Sequence, residues 1–146
     1  MLTEPLSSVD AAWLHMEHPS NLMMVTGVLT FDEPLDFEQL TRVVGDGLLR
    51  YPRFRQRVVE ARLPLGSPRW ELDPDFDLKA HIHRLALPAP GDQRVLQDLV
   101  SDLMSTPLDF SKPLWQFHLV EGYGQGCAVL VRIHHCIADG IALIGV

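Results

Sequence analysis

A chain of 146 residues, 47% of them hydrophobic and 21% charged, has the apolar material for a folded core and room for one domain. Twelve Lys and Arg against 19 Asp and Glu leave a formal charge of −7 and no basic cluster, which argues against nucleic-acid backbones and a polybasic lipid anchor. Two cysteines, Cys127 and Cys136, are too few for a disulfide framework and read as free thiols in a reducing compartment.

The first residues lack a cationic stretch followed by an apolar one, so no signal peptide is expected. Ser7 and Ser8 can cap a short helix with Val9, Ala12, Trp13 and Met16 on its apolar side. Residues 22–31 read as a buried strand. The run is interrupted by Thr26, Gly27 and Thr30 and falls short of the roughly 20 apolar residues of a membrane span. Pro34 and Asp36 open a second helix. Asp36 with Gln39 resembles a capping box, and Phe37, Leu40, Val43, Val44 and Leu48 share a face. Gly45 and Gly47 weaken that helix and imply a close neighbour.

Beyond Pro52 the pattern shortens to strands over 56–63 and 69–72, joined by a turn from Pro64 to Pro68, and another strand over 80–87. A helix starts near Asp92, turns Val95, Leu96, Leu99, Val100 and Leu103 inward, and ends before Pro107. Strands over 115–121 and 127–135 flank Gly122-Tyr123-Gly124-Gln125-Gly126. This G-x-G-x-G joins strand to strand and opens no helix, so it reads as a hairpin turn rather than a phosphate cradle. Residues 139–146 read as the start of a helix or loop.

The chemistry-bearing segment is His134-His135-Cys136-Ile137-Ala138-Asp139-Gly140. Strand alternation puts His135 on one face with Cys127, Val129, Val131 and Ile133, and His134 on the other with Ala128, Leu130 and Arg132. A histidine leaving an apolar wall is a candidate general base near neutral pH, which singles out His135; the bland alternative is a satisfied core histidine. His134 then has a supporting role. Asp139 could orient an imidazole, or pair with an arginine and shape the turn; the second reading is favoured, because buried carboxylates need a cationic partner. Trp115 alternates with Phe117 and Leu119 and reads as core, with Lys112 and Pro113 shaping the strand entry. His81 and His83 can face the same way, but no Cys or third His stands at ligand spacing, so no metal site is expected.

The string H-H-x-x-x-D-G resembles the active-site motif of the CoA-dependent acyltransferase superfamily. That group includes chloramphenicol acetyltransferase-like enzymes, nonribosomal peptide condensation domains and bacterial wax ester synthase/diacylglycerol acyltransferases. Ser7-Ser8-Val9-Asp10-Ala11-Ala12-Trp13-Leu14 with His18-Pro19 is similar to the N-terminal signature of the last family. Pro107-Leu108-Asp109-Phe110-Ser111-Lys112-Pro113-Leu114-Trp115 resembles its P-L-D-x-S-x-P-L-W segment.

The resemblance implies an α/β fold: a chloramphenicol acetyltransferase-like sandwich subdomain, with a mixed sheet of about five to six strands and packed helices. Residues 1–146 would be the N-terminal subdomain, with the C-terminal subdomain of the same enzyme as its partner. It further implies that His135 takes the proton of an alcohol that attacks the thioester of a long-chain acyl-CoA. His134 would support it, Asp139 and Gly140 would shape the turn, and Pro113, Leu114 and Trp115 would be structural. The acceptor would be diacylglycerol or a fatty alcohol, with no metal, no cofactor beyond the acyl-CoA substrate and no nucleic acid. The implied location is cytoplasmic, or peripheral at the membrane or lipid inclusions. Two other readings stay open. One is a noncatalytic half-domain that binds a partner through an apolar surface. The other is a condensation-type domain using carrier-protein thioesters, which the N-terminal signature and the P-L-W segment disfavour.

Overall fold

The 115–135 alternation folds as a hairpin in the computed structural model, which describes residues 3–61 and 66–138. Strands β6 (Trp115–Tyr123) and β7 (Gly126–His134) pair antiparallel; φ is positive at Gly122, where the register of β6 shifts, and at Gly124 in the turn, which glycine tolerates without a Cβ clash. Strand β2 (Met24–Phe31) adds antiparallel to the other edge of β7, from Met24↔His134 to Phe31↔Cys127. Strand β5 (Ile82–Ala86) adds parallel to β6, giving the order β2-β7-β6-β5.

A second, antiparallel sheet has the order β1-β4-β3, from β1 (Thr3–Pro5), β3 (Gln56–Val59) and β4 (Arg69–Leu72). The described strands thus form two sheets of four and three instead of one sheet of five to six. Period-2 patterning identifies strands but not partners. A 3₁₀ turn over Pro52–Arg55 leads into β3, which finds its backbone partners in β4.

The two faces of the β6–β7 hairpin are sorted onto two helices. Helix α2 (Phe37–Leu48) sets Phe37 and Leu40 against Leu119, Cys127, Val129 and Val131. Helix α3 (Gln93–Met104) sets Leu96, Leu99, Val100 and Leu103 against Val120, Ala128 and Leu130. Both helices start on the aspartate expected of them: Asp36 accepts from the Glu38 and Gln39 N–H groups, and Asp92 from Val95 N–H. A third cluster joins the small sheet to the end of β7 through Leu14, Phe54, Trp70, Leu114, Trp115, Ile137 and their neighbours. In it the Trp115 indole N–H donates to the Phe54 carbonyl at 2.9 Å.

Several local expectations shift. In α1 (Ser8–His15), capped by Ser7, the inward residues are Ala11, Trp13 and Leu14, whereas Val9, Ala12 and Met16 lie exposed. The helix is rotated because its contacts are made to the end of β7, and both of its sides carry apolar residues to choose from. The run 22–31 is an edge strand rather than a buried one, with Leu29 56% exposed and Val25, Val28 and Phe31 also open. An apolar run reads the same in either position, and only the neighbours decide. The strand predicted over 56–63 stops at Val59, and the one over 80–87 begins only after a 3₁₀ turn at Leu78–Ala80. A Cβ on Gly45 would lie 2.9 Å from the Leu78 side chain, the close neighbour expected there; Gly47 has none.

Candidate active site

Strand β7 ends at His134 and residues 135–138 are helical, so the pleat stops governing side-chain direction between the two histidines. The junction is pinned by backbone bonds: His134 N–H donates to the Leu114 carbonyl at 3.1 Å and His135 N–H to the Met23 carbonyl at 2.9 Å. Leu114 and Trp115 are fully buried and Pro113 is buried, so the P-L-W segment is a rigid ledge under the motif.

His134 is 1% exposed and fully bonded. Its Nδ1 accepts from the Cys136 N–H at 3.1 Å, so the single ring proton of the neutral form sits on Nε2 and is donated to the Glu17 carboxylate at 3.1 Å. Burial pushes the His134 pKa below the usual histidine value, with Glu17 opposing. The same Glu17 oxygen accepts Met23 N–H at 2.7 Å. Phe110 meets the His134 ring edge-on at 5.6 Å. Its neighbour Asp109 accepts from the Ser111 hydroxyl and N–H at 2.6 and 2.9 Å, which holds that carboxyl below the ordinary range.

His135 is half-buried, and its ring stacks on Trp13 with centroids 4.3 Å apart and planes at 17°. Nearby residues Val25, Gly27, Val131, Ile133 and Ala138 line a shallow apolar depression of about 200 Å³. A buried, fixed imidazole beside a half-buried one, with apolar residues close by in the chain, suits proton transfer to or from a hydroxyl on an apolar molecule. Asp139 and Gly140 lie outside the described residues. Cys136 is no nucleophile here, because burial pushes its thiol up to about 12.

The other histidines go elsewhere. His81 Nδ1–H donates to the Trp115 carbonyl at 2.7 Å, and the ring stacks on both Phe76 and Trp115. Burial lowers its pKa. His83 stacks on His118 instead. No group of three or more potential metal ligands occurs among the described residues.

Sequence reasoning missed Glu17, and placed Trp13 on the apolar side of the first helix and in the N-terminal signature without a role at the site. The available signal was a lone carboxylate four residues after Trp13, immediately before His18-Pro19.

A family model described as the wax ester synthase/diacylglycerol acyltransferase catalytic domain matches residues 6–145. The chain is 36% identical over 145 residues to the probable diacylglycerol O-acyltransferase tgs3 of Mycobacterium tuberculosis, a match covering 97% of this chain and 54% of that protein. Against the probable diacylglycerol O-acyltransferase tgs1 of the same organism it is 39% identical over 142 residues, 94% of this chain and 30% of that protein. It therefore spans about half or less of the length of these relatives. A solved structure, the wax ester synthase/diacylglycerol acyltransferase from Marinobacter aquaeolei VT8, superposes with a TM-score of 0.79 at 31% identity, covering 97% of this chain and 35% of that one. The starter condensation domain of rhizomide synthetase RzmA reaches a TM-score of 0.69 at 19% identity, a likeness of fold alone.

Proposed function

The chain belongs to the wax ester synthase/diacylglycerol acyltransferase family, and from that premise we propose that it supplies the proton-transfer residues of an acyl-CoA-dependent O-acyltransferase. The observation that carries this reading is the histidine pair: His134 locked and buried, His135 half-buried against Trp13, with Ile133 and Ala138 on either side of the pair in sequence lining an apolar depression.

His135 takes the hydroxyl proton of the acceptor as its oxygen attacks the thioester carbonyl of a long-chain acyl-CoA. A new C–O bond gives a tetrahedral oxyanion. Its collapse restores the carbonyl and breaks the C–S bond. The imidazolium returns its proton to the departing CoA thiolate, so the enzyme ends as it began. An imidazole suits both steps, since its ordinary pKa of about 6.5 lies near neutrality. His134 does not react; it holds the strand-to-helix junction.

The acceptor is diacylglycerol or a long-chain alcohol, and the remainder of a longer protein supplies the opposite wall of the site. Work on such substrates points to a peripheral position at membrane or lipid-inclusion surfaces. No described helix is long and apolar enough to cross a membrane. The condensation-type reading is weaker, because the likeness to those domains is in fold alone, while the P-L-W segment supports the motif directly.

The test is CoA release from palmitoyl-CoA, offered hexadecanol and diacylglycerol in parallel, by the full-length protein and its His135→Ala variant. Loss of the base should lower the rate about 10²–10⁴-fold. Turnover unchanged by the substitution would refute the role given to His135. Reaction only with a carrier-protein thioester would favour the condensation reading.

A further inference from the structure

Two residues four positions apart, one on α1 and one just past its cap, each touch one histidine of the pair. Trp13 lies flat on the His135 ring, at 4.3 Å and 17°. Glu17, just past the helix cap, bonds His134 Nε2–H at 3.1 Å. A single stretch of chain, the end of α1 and the residue just past its cap, thus reaches both histidines.

Glu17 does more than partner His134. Its Oε1 also accepts Met23 N–H at 2.7 Å, and the Met23 carbonyl accepts His135 N–H at 2.9 Å. His134 Nδ1 in turn accepts Cys136 N–H at 3.1 Å. One carboxylate thus takes the Nε2–H that the Cys136 bond leaves on His134 and, through Met23, ties the His135 backbone to the same point. Its side chain is 16% exposed, so water competes little for these bonds. The indole covers one face of the His135 imidazole and limits how the ring can turn. It also lies against the positive charge that forms on the ring when it takes a proton.

We infer that Trp13 and Glu17 are positioning residues for the proton transfer, acting through His135 and His134 respectively; this rests on the reading of His135 as the base. A general base must bring its nitrogen within hydrogen-bond reach of the reacting hydroxyl, and a misplacement of about 1 Å can cost about 10²-fold in rate. Leu14 is the residue of α1 that the core fully buries; Trp13 packs half-buried against the same cluster and in addition lies flat on His135.

The test compares Trp13→Leu, Trp13→Phe, Glu17→Gln and His135→Ala in the full-length protein, with thermal unfolding alongside. Trp13→Leu should lower kcat about 10–100-fold with little change in KM for acyl-CoA, and Trp13→Phe, which keeps an aromatic face, should recover most of it. Glu17→Gln should lower kcat in the same range, and nitrogen-15 NMR should show the His134 Nε2–H signal shifted by loss of the charged acceptor while Nδ1, still accepting Cys136 N–H, stays unprotonated. If Trp13→Leu does not fold, Trp13→Phe near wild-type kcat together with the Glu17→Gln spectrum carries the test. Wild-type kcat in Trp13→Leu and Glu17→Gln, with His135→Ala inactive, would overturn the inference and leave the base reading intact. Equal damage from Trp13→Phe and Trp13→Leu would also overturn the stacking role. An active His135→Ala would remove the base, and this inference with it.

Discussion

Acid should unfold this protein partly through His118, a residue remote from the motif. His118 lies on β6 at 5% exposure and stacks on His83. Its Nε2 accepts the Arg132 Nε–H at 3.3 Å, so the ring proton sits on Nδ1, which is buried with no hydrogen-bond partner. Burial, with the Arg132 cation and His83 adding to it, pushes the His118 pKa from 6.5 down to about 4. In the unfolded chain the group protonates near 6.5, while in the folded chain it stays neutral until about 4. Between those values the unfolded state binds more protons. The contribution to stability is therefore complete above about pH 6.5 and is lost progressively as pH falls toward 4. At about 1.36 kcal/mol per unit the whole window is worth about 3 kcal/mol, most of it gone by about pH 4.5. Urea unfolding of the wild type and His118→Gln at about pH 7 and about pH 4.5 reads this directly, since Gln keeps an acceptor for Arg132 without titrating. The wild type should lose about 2–3 kcal/mol more than the variant. His81 and His134, also held low by burial, are present in both proteins and drop out of the difference. Equal acid losses in the two proteins would refute the assignment.

Arg132 is buried and donates to the Leu103 and Thr106 carbonyls at 2.8 and 2.7 Å and to Gln116 Oε1 at 2.6 Å, capping the C-terminal end of α3, whose own last turn has no basic residue. Arg132→Met should cost about 3 kcal/mol in urea unfolding by stranding those acceptors, and Arg132→Lys should recover part of it. The open edge of β2 predicts concentration-dependent association of this chain in sedimentation. Val28→Lys should reduce that association while changing stability by no more than about 0.5 kcal/mol.

The legible parts of the fold were those whose signal is local. Asp36 and Asp92 mark helix starts because a carboxylate two or three residues ahead of free N–H groups has an obvious use. Gly122 to Gly126 marked the hairpin, and alternation in β7 correctly divided Cys127, Val129 and Val131 from Ala128 and Leu130. Of the candidate site, the histidine pair and the P-L-W ledge stood out in the sequence. The residues that grip them did not. Glu17 stands 117 positions from His134, and a single carboxylate beside a helix exit looks like any solvated charge. The orientation of α1 was misread for a related reason: with Val9, Ala12, Trp13 and Met16 toward one side and Ala11 and Leu14 toward the other, periodicity did not choose between them, and of the first group only Trp13 packs inward.

By itself the sequence determined the kinds and order of most elements, the motif, and the family to which it points, because caps, turns and side-chain period depend on neighbours a few residues apart. Only the tertiary structure decided that the strands split into two sheets and that β2 lies at an edge. It also decided that Arg132 closes a distant helix and that Trp13 and Glu17 hold the two histidines. Those outcomes depend on which surfaces meet. A buried polar group takes whichever partner the packed chain brings within about 3 Å, and distance along the sequence does not enter that choice.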